Sequence, residues 1–413
     1  MHRILTLLTP LVLCVSFSLH SEVIEREGNG YFECVEQQRI LHLKGSPYEM
    51  GLQQGKLLKD LIWQNVRDFI DRKNPAMQSR VEAIQASLPK LIANIPERFC
   101  EEMRGVSEGS GVALNKIIAL NIFPELFHCS GITLCDQATK GGELYHARVL
   151  DYGVGKNLQN TAVLMVVQPE DGHSFVNVSY AGFIGSVTGM NDQGIAMGEI
   201  GGWGYGYWDG MPMPFLFRDI LERASSVEDA KKILIETPRT CEYYYIISDG
   251  KTRESLGVYA TQSQIHFIPP GSAYALLAPK GLPTNYETQG DHDKFCMTSC
   301  ALVRSSHQTL LLDSDKRVAV LYHQQPPSTI LMTGFLHPER YSLLVDRVLA
   351  SYGAIDENAL KEIIKCPVAR PTNLHNAIFL PSKLMLWVSH AGPNGEPACE
   401  QPYAAFKLSE LLQ

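Results

Sequence analysis

At Cys129 the chain changes character, and that seam constrains its fold more than any other feature. Upstream, apolar residues recur at helical spacing. In "SPYEMGLQQGKLLKDLIWQNVRDFIDR" they are Leu57, Leu58, Leu61, Ile62, Val66 and Phe69. Ser46 is an N-cap there, with Pro47 at the first helical position and Glu49 three residues on. Further helices are predicted in "RVEAIQASLPKLIANIPERFCEEMRGVSEGSG", broken near Pro89 and Pro96 and closed by a glycine-rich turn, and in "ALNKIIALNIFPELF". Only Glu33 to Leu43 reads as a strand pair in this part. Downstream, "GITLCDQAT", "ELYHARVLDY", "TAVLMVVQPE" and "SFVNVSYAG" are short β-rich runs separated by Gly, Asp and Lys turns.

The rest of the chain keeps alternating. "IGSVTGMNDQGIAMGEIGGWGYG" predicts strand, turn, strand. "MPFLFRDILERASSVEDAKKILIE" is helical, with Ser225 or Ser226 capping its second half. "CEYYYIISDGKTRESLGVYA" predicts a hairpin turning at Asp249-Gly250. "ERYSLLVDRVLASYGAIDENALKEIIK" is helical, and "HNAIFLPSKLMLWVSH" is read as a hairpin ending the chain. Such mixing predicts a layered body of helices and sheets. No repeat or low-complexity linker divides it.

Composition narrows the function classes. A hydrophobic share of 45% and a charged share of 19% fit a folded chain rather than a disordered one. The net charge of -8 lacks the basic footprint of nucleic-acid binding. The start, "MHRILTLLTPLVLCVSFSLHSEV", reads as an export signal over residues 1–21: a positive Arg3, an apolar run, then small serines. That run is short for a membrane span, and no later segment is a stable one. The leader implies a periplasmic, lumenal or secreted protein. Cys14 follows Leu13, which is too bulky for bacterial lipid attachment. Of ten cysteines, nine remain after Cys14, and eight if one is a free nucleophile. An even set is able to pair in an oxidising compartment, with connectivity left open. No cysteine–histidine cluster has metal-like spacing, so no metal or organic cofactor is expected.

Two motifs compete for the chemistry. "GVSEG", Gly105 to Gly109, matches the nucleophile elbow G-x-S-x-G, but a charged helix precedes it where a strand is required. Ser107 is therefore set aside, and a helix C-terminal turn explains its glycines. The stretch "FPELFHCSGITLCDQATKGGELYHARVLDYG" is the stronger one. A hairpin turning at Lys140-Gly141-Gly142 would bring Arg148 and Asp151 beside Cys129. A guanidinium favours thiolate, and a carboxylate is able to orient an α-amine. A cysteine that begins a chain has that amine as its own base. From these residues alone, packing plus an ion pair is the commoner account. Cys135 reads as core or a disulfide partner.

In motif and order this chain resembles the penicillin acyltransferase-like, cysteine-dependent N-terminal-nucleophile amidohydrolases (peptidase family C45), whose more distant relatives are bile-salt hydrolases, acid ceramidase and phospholipase B-like proteins. The resemblance rests on Cys129-Ser130, on Arg148-Val149-Leu150-Asp151, on "LKGSPYEMGLQQGKLL", "EEMRGVSEGSGVALNKIIALNIFPEL", "TGMNDQGIAMGE", "LPTNYE", "ERYSLL" and "NLHNAIFLPSKLMLWVS". It implies an α+β fold, the four-layer αββα sandwich, with a signal over 1–21, a helical N-terminal region over 22–128 and the hydrolase body over 129–413. It implies cutting of the His128–Cys129 bond, Cys129 as nucleophile, and Arg148 and Asp151 as its partners. It also implies Asn285 as an oxyanion donor, Asn191 as a second such donor or a turn residue, and Arg340 as a substrate contact or a helix-surface ion pair. Tyr286 departs from the family's usual histidine. Trp203 and Trp208, with Tyr205 and Tyr207, would line an apolar acyl pocket or cap a surface loop. The implied partner is a small acylated molecule, cleaved at a linear amide. An ester deacylase of the same fold and an exported binding protein are the rival readings.

Overall fold

A computed structural model describes residues 22–72, 78–122, 128–152, 157–201, 208–240, 243–277, 302–304, 307–312, 318–334 and 338–413. Two large sheets stack face to face between two helical layers. In spatial order the ten-stranded sheet holds Glu22–Glu27, Gly30–Val35, Gln38–Gly45, Ala162–Pro169, Phe175–Tyr180, Thr188–Asn191, Ile195–Glu199, Tyr243–Asp249, Ser255–Ala260 and Ile265–Ile268. The six-stranded sheet holds Thr329–Thr333, His128–Asp136, Gly142–Asp151, Asn373–Leu380, Met385–His390 and Ala404–Lys407, all antiparallel. A small four-stranded sheet pairs with neither, but its Tyr274 and Tyr322 pack against the edge strand Thr329–Thr333.

Period-two alternation explains the layering. In Ala162–Pro169, Val163, Met165 and Val167 face the helical core, while Leu164 and Val166 face the second sheet. Both faces are apolar because both are covered. Across the inter-sheet space, Ala377, Phe379, Leu386 and Val388 meet Leu164, Val166, Val176 and Val178. Helices Pro47–Leu57, Glu97–Ser110, Met213–Arg223 and Val227–Glu236 cover the large sheet. Helices Pro338–Ala350 and Glu357–Ile363 cover the other. The architecture is the expected four-layer αββα sandwich. Ser46 forms the predicted capping box with Glu49.

Three expectations change. Residues 22–45 supply three strands, so the 22–128 region is not simply helical. Gln38–Gly45 pairs in parallel with Ala162–Pro169, which stitches the region into the body's main sheet. The Asn373–Leu380 and Met385–His390 hairpin is real, but the chain does not end there; Ala404–Lys407 and a short helix follow. The glycines of "GVSEG" run into the helix's last turn but do not themselves cap it. Gly105 and Gly109 lie inside the helix Glu97–Ser110, whose left-handed C-cap is Gly111.

Those two glycines meet Gly51 and Gly55 of the first helix. A Cβ at Gly105 would sit 2.2 Å from the Tyr48 carbonyl oxygen, and one at Gly51 would sit 1.9 Å from that of Glu102. The helices touch backbone to backbone, which side chains would forbid. Gly-to-Ala in a helix ordinarily stabilises by about 1 kcal/mol. Here the clash reverses the sign, since overpacking costs about 1–3 kcal/mol and backbone does not yield as a side chain does. Gly105→Ala is expected to lose about 2 kcal/mol in a denaturant titration. A gain in stability would show that the helices do not approach this closely.

Candidate active site

The hairpin predicted around Lys140-Gly141-Gly142 forms. His128–Asp136 pairs antiparallel with Gly142–Asp151, placing Cys129 opposite Leu150 and Gly131 opposite Arg148. Cys129 and Arg148 are therefore diagonal neighbours on one face, within reach of a long side chain. Arg148 Nη2 donates to Cys129 Sγ at 2.7 Å and to Glu199 Oε2 at 3.0 Å, while Nη1 donates to the Val149 carbonyl at 2.6 Å. Cys129, Arg148 and Glu199 are completely buried. Glycine makes the room for this. A Cβ at Gly198, on the facing sheet, would lie 2.8 Å from Arg148 Cδ, and one at Gly131 would strike Ile200 and Ile246.

Arg148 and Asp151, three residues apart on an extended strand, turn to opposite faces. Asp151 stands in register with His128, the residue before the nucleophile candidate. Its Oδ1 accepts from the Arg370 backbone N–H at 3.0 Å, and its Oδ2 is ion-paired with Arg340 Nη2. Arg340, expected as a substrate contact or a helix-surface ion pair, is ion-paired with Asp151; its Nε donates to the Val368 carbonyl, and it is largely buried. The carbonyl of Cys129 accepts from Gly334 N–H at 2.9 Å.

Burial sets the electrostatics. It pushes the Cys129 thiol well above its usual range; Arg148 opposes the rise, while Glu199 and Asp151 add to it. In this uncut chain the sulfur is a thiol. Burial also lifts the Glu199 carboxyl to about 7, against the pull of Arg148. Protonation of Glu199 releases the Arg148 charge toward sulfur.

Other expected residues fall elsewhere. The Asn191 amide is committed: Nδ2 donates to the carbonyls of Leu221 and Ala224, and Oδ1 accepts from the Gln193 and Ile195 N–H groups. It holds the turn of "GMNDQG", with its Nδ2 hydrogens given to those two carbonyls. Trp208 packs half-buried against the helical core. Ser107 lies in the last turn of the helix Glu97–Ser110, its hydroxyl donating to the Val112 carbonyl at 2.6 Å. Cys135 is buried with its thiol pushed up to about 12, next to Asp136 and the Ser328 carbonyl. Asn285, Tyr286, Trp203, Tyr205 and Tyr207 lie outside the described residues, as do residues 1–21. The strand position of His128 is described, but its side chain is not.

Two features escaped the sequence. One is Glu199, whose signal was a lone acid ending the otherwise apolar, glycine-rich strand "IAMGE"; a buried charge demands a partner. The other is a buried relay: His375 bonds Tyr180 Oη through Nδ1 at 2.8 Å and Thr188 Oγ1 through Nε2 at 2.9 Å. Among the described residues, no helix is long and apolar enough to cross a membrane.

The chain matches the family model "acyl-coenzyme A:6-aminopenicillanic acid acyl-transferase" over residues 138–269, a span containing Arg148, Asp151 and Glu199. It is 31% identical over 246 residues to Protein dcd1B of Dictyostelium discoideum, covering 52% of this chain and 49% of that protein. It is 30% identical over 270 residues to acid ceramidase of Homo sapiens, covering 58% and 66% respectively. The chain thus spans about half to two thirds of the length of these relatives. The structure of a Caenorhabditis elegans N-acylethanolamine-hydrolyzing acid amidase ortholog superposes with a TM-score of 0.42 at 14% identity, covering 62% of this chain and 93% of that one. The resemblance to the penicillin acyltransferase-like N-terminal-nucleophile hydrolases holds, with acid ceramidase among the relatives.

Proposed function

We propose that this chain is the precursor of a cysteine N-terminal-nucleophile hydrolase or acyltransferase that cleaves a linear amide of a small acylated substrate. The supporting observation is the buried contact of Arg148 Nη2 with Cys129 Sγ, at 2.7 Å, at the start of a strand whose preceding residue faces Asp151. In maturation the Cys129 sulfur attacks the His128 carbonyl carbon, and the acyl group passes from nitrogen to sulfur as a thioester. Water hydrolyses it, leaving a carboxylate on His128 and a free α-amine on Cys129. That amine takes the thiol proton, and the thiolate attacks the substrate carbonyl. The oxyanion collapses with loss of the amine, and water or a second amine resolves the acyl-enzyme. Arg148 steadies the sulfur's negative charge, Glu199 balances Arg148, and the Arg340–Asp151 pair fixes the strand end beside the new amine. Asn285 is proposed as the oxyanion donor. Residues 1–21 are proposed as an export signal.

The names of the matched family and of acid ceramidase supply the substrate class, an N-acyl group. N-terminal sequencing and intact mass of the purified protein, with assays on acyl-amides and phospholipid esters, test the reading. Expected are two pieces meeting at His128–Cys129 and turnover of amides. Phospholipid turnover with inert amides would establish the ester deacylase instead. A single uncut chain, unreactive toward iodoacetamide at Cys129, would establish a binding protein.

A further inference from the structure

Behind the site, two cysteines far apart in sequence face each other. Cys366 Sγ lies 3.5 Å from Cys399 Sγ, 33 residues away along the chain. A disulfide needs about 2.05 Å, a closure within reach of small side-chain rotations. Both backbones are already tied down. The Cys366 carbonyl accepts from Arg347 Nη2 at 3.0 Å, and Arg347 Nη1 also caps the carbonyls of Ile363 and Lys365. Cys399 N–H donates to Asn373 Oδ1 at 2.8 Å. We propose that Cys366 and Cys399 are a disulfide site, closed when the chain meets an external disulfide oxidant.

Burial sets the order of events. Cys366 is half-buried and Cys399 almost wholly buried, so the external disulfide meets Cys366 first. The Cys366 thiolate attacks one sulfur of the oxidant, expelling a thiolate and leaving a mixed disulfide. Cys399 then loses its proton and attacks the Cys366 sulfur, expelling the second thiolate. Two protein thiols are oxidised, and one external disulfide is reduced to two thiols. Burial and the adjacent Cys366 push the Cys399 thiol up to about 12, so it stays protonated until that second step. The Glu400 carboxylate completes a three-donor group with both sulfurs. Two thiolates and one carboxylate fall one short of a closed four-ligand zinc site. Disulfide closure leaves no position to fill.

The bond would brace the candidate site. Cys366 opens the segment whose Val368 carbonyl holds Arg340 and whose Arg370 N–H holds Asp151. Cys399 is bonded to Asn373, whose Nδ2 donates to the Leu150 carbonyl beside Cys129. The cross-link itself is independent of the proposed activity, and its readouts do not use turnover. The full-length protein is incubated with oxidised glutathione, alkylated and mapped by non-reducing tryptic mass spectrometry. The expected result is one linked peptide containing Cys366 and Cys399, about 2 Da lighter than its two parts. In the oxidised state, Cys366→Ser is expected to lower the melting midpoint by about 3–8 °C, and by much less under reductant. Separate alkylation of both residues, pairing of either with another cysteine, or retained zinc with both thiols reduced would overturn the proposal. So would an equal loss of midpoint in both redox states.

Discussion

Cys129→Ala is expected to leave the chain in one piece and to lower amide turnover by about 10³–10⁶-fold, the range seen when a covalent nucleophile is removed. Both effects come from one atom. The sulfur that would attack the His128 carbonyl is the sulfur that would later attack substrate. Its loss is not a folding lesion: the side chain is small, and Arg148 keeps Glu199 and the Val149 carbonyl as partners. Cys129→Ser should keep the shape and retain slow cutting, because a hydroxyl is a weaker nucleophile than a thiolate at neutral pH. Intact mass and single-turnover assays on the two variants measure this. Cutting at His128–Cys129, or undiminished turnover, in the alanine variant would remove Cys129 from the mechanism.

Arg148→Met is expected to lose both activity and stability, and the two are separable. Removing one member of a buried ion pair strands the other, at about 3–5 kcal/mol. Here the stranded group is Glu199. The sign with pH follows from its raised carboxyl. An exposed Glu titrates near 4.5 and Glu199 near 7, so between these values the folded chain holds a proton that the unfolded chain has lost. The folded state binds more protons there, so this group's contribution falls as pH rises through that window, by about 3 kcal/mol in all, and is flat above it. Arg148→Met should therefore be most deficient at pH 8 and much less so at pH 5, where Glu199 is neutral with or without its partner. Arg148→Met with Glu199→Gln should recover most of the stability at pH 8 and none of the turnover. Denaturant titrations at the two pH values, paired with assays, decide it. Recovery of turnover in the double variant would show that Arg148 serves only to neutralise Glu199.

Much of this geometry was legible beforehand because it is local. Periodicity shows which residues share a face. The Gly141-Gly142 turn sets which strand returns, and from that the meeting of Arg148 with Cys129 follows. The capping box at Ser46 needs only three residues. Legibility failed where a residue's role depends on a distant element. Asn191 fitted either a turn or an oxyanion donor, and its bonds to the carbonyls of Leu221 and Ala224, some thirty residues on, are not readable from the turn motif itself. Gly105 and Gly109 read as a helix end rather than as the helix contact they make. The distinction required the position of Gly51 and Gly55, about fifty residues upstream.

The sequence by itself determined the capping box at Ser46, the short β-rich runs that become strands, and the hairpin that brings a guanidinium to the sulfur. These follow from backbone dihedrals and burial periods, which act over a few residues. Tertiary structure alone decided that Glu199 balances Arg148 from 51 residues away, that Arg340 holds Asp151 from 189 away, and that Cys366 faces Cys399. The physical reason is that no short-range rule states which strand of one sheet stacks over which strand of the other. Burial makes those encounters matter, because a charge removed from water must find its partner wherever the packing of the layers has placed it.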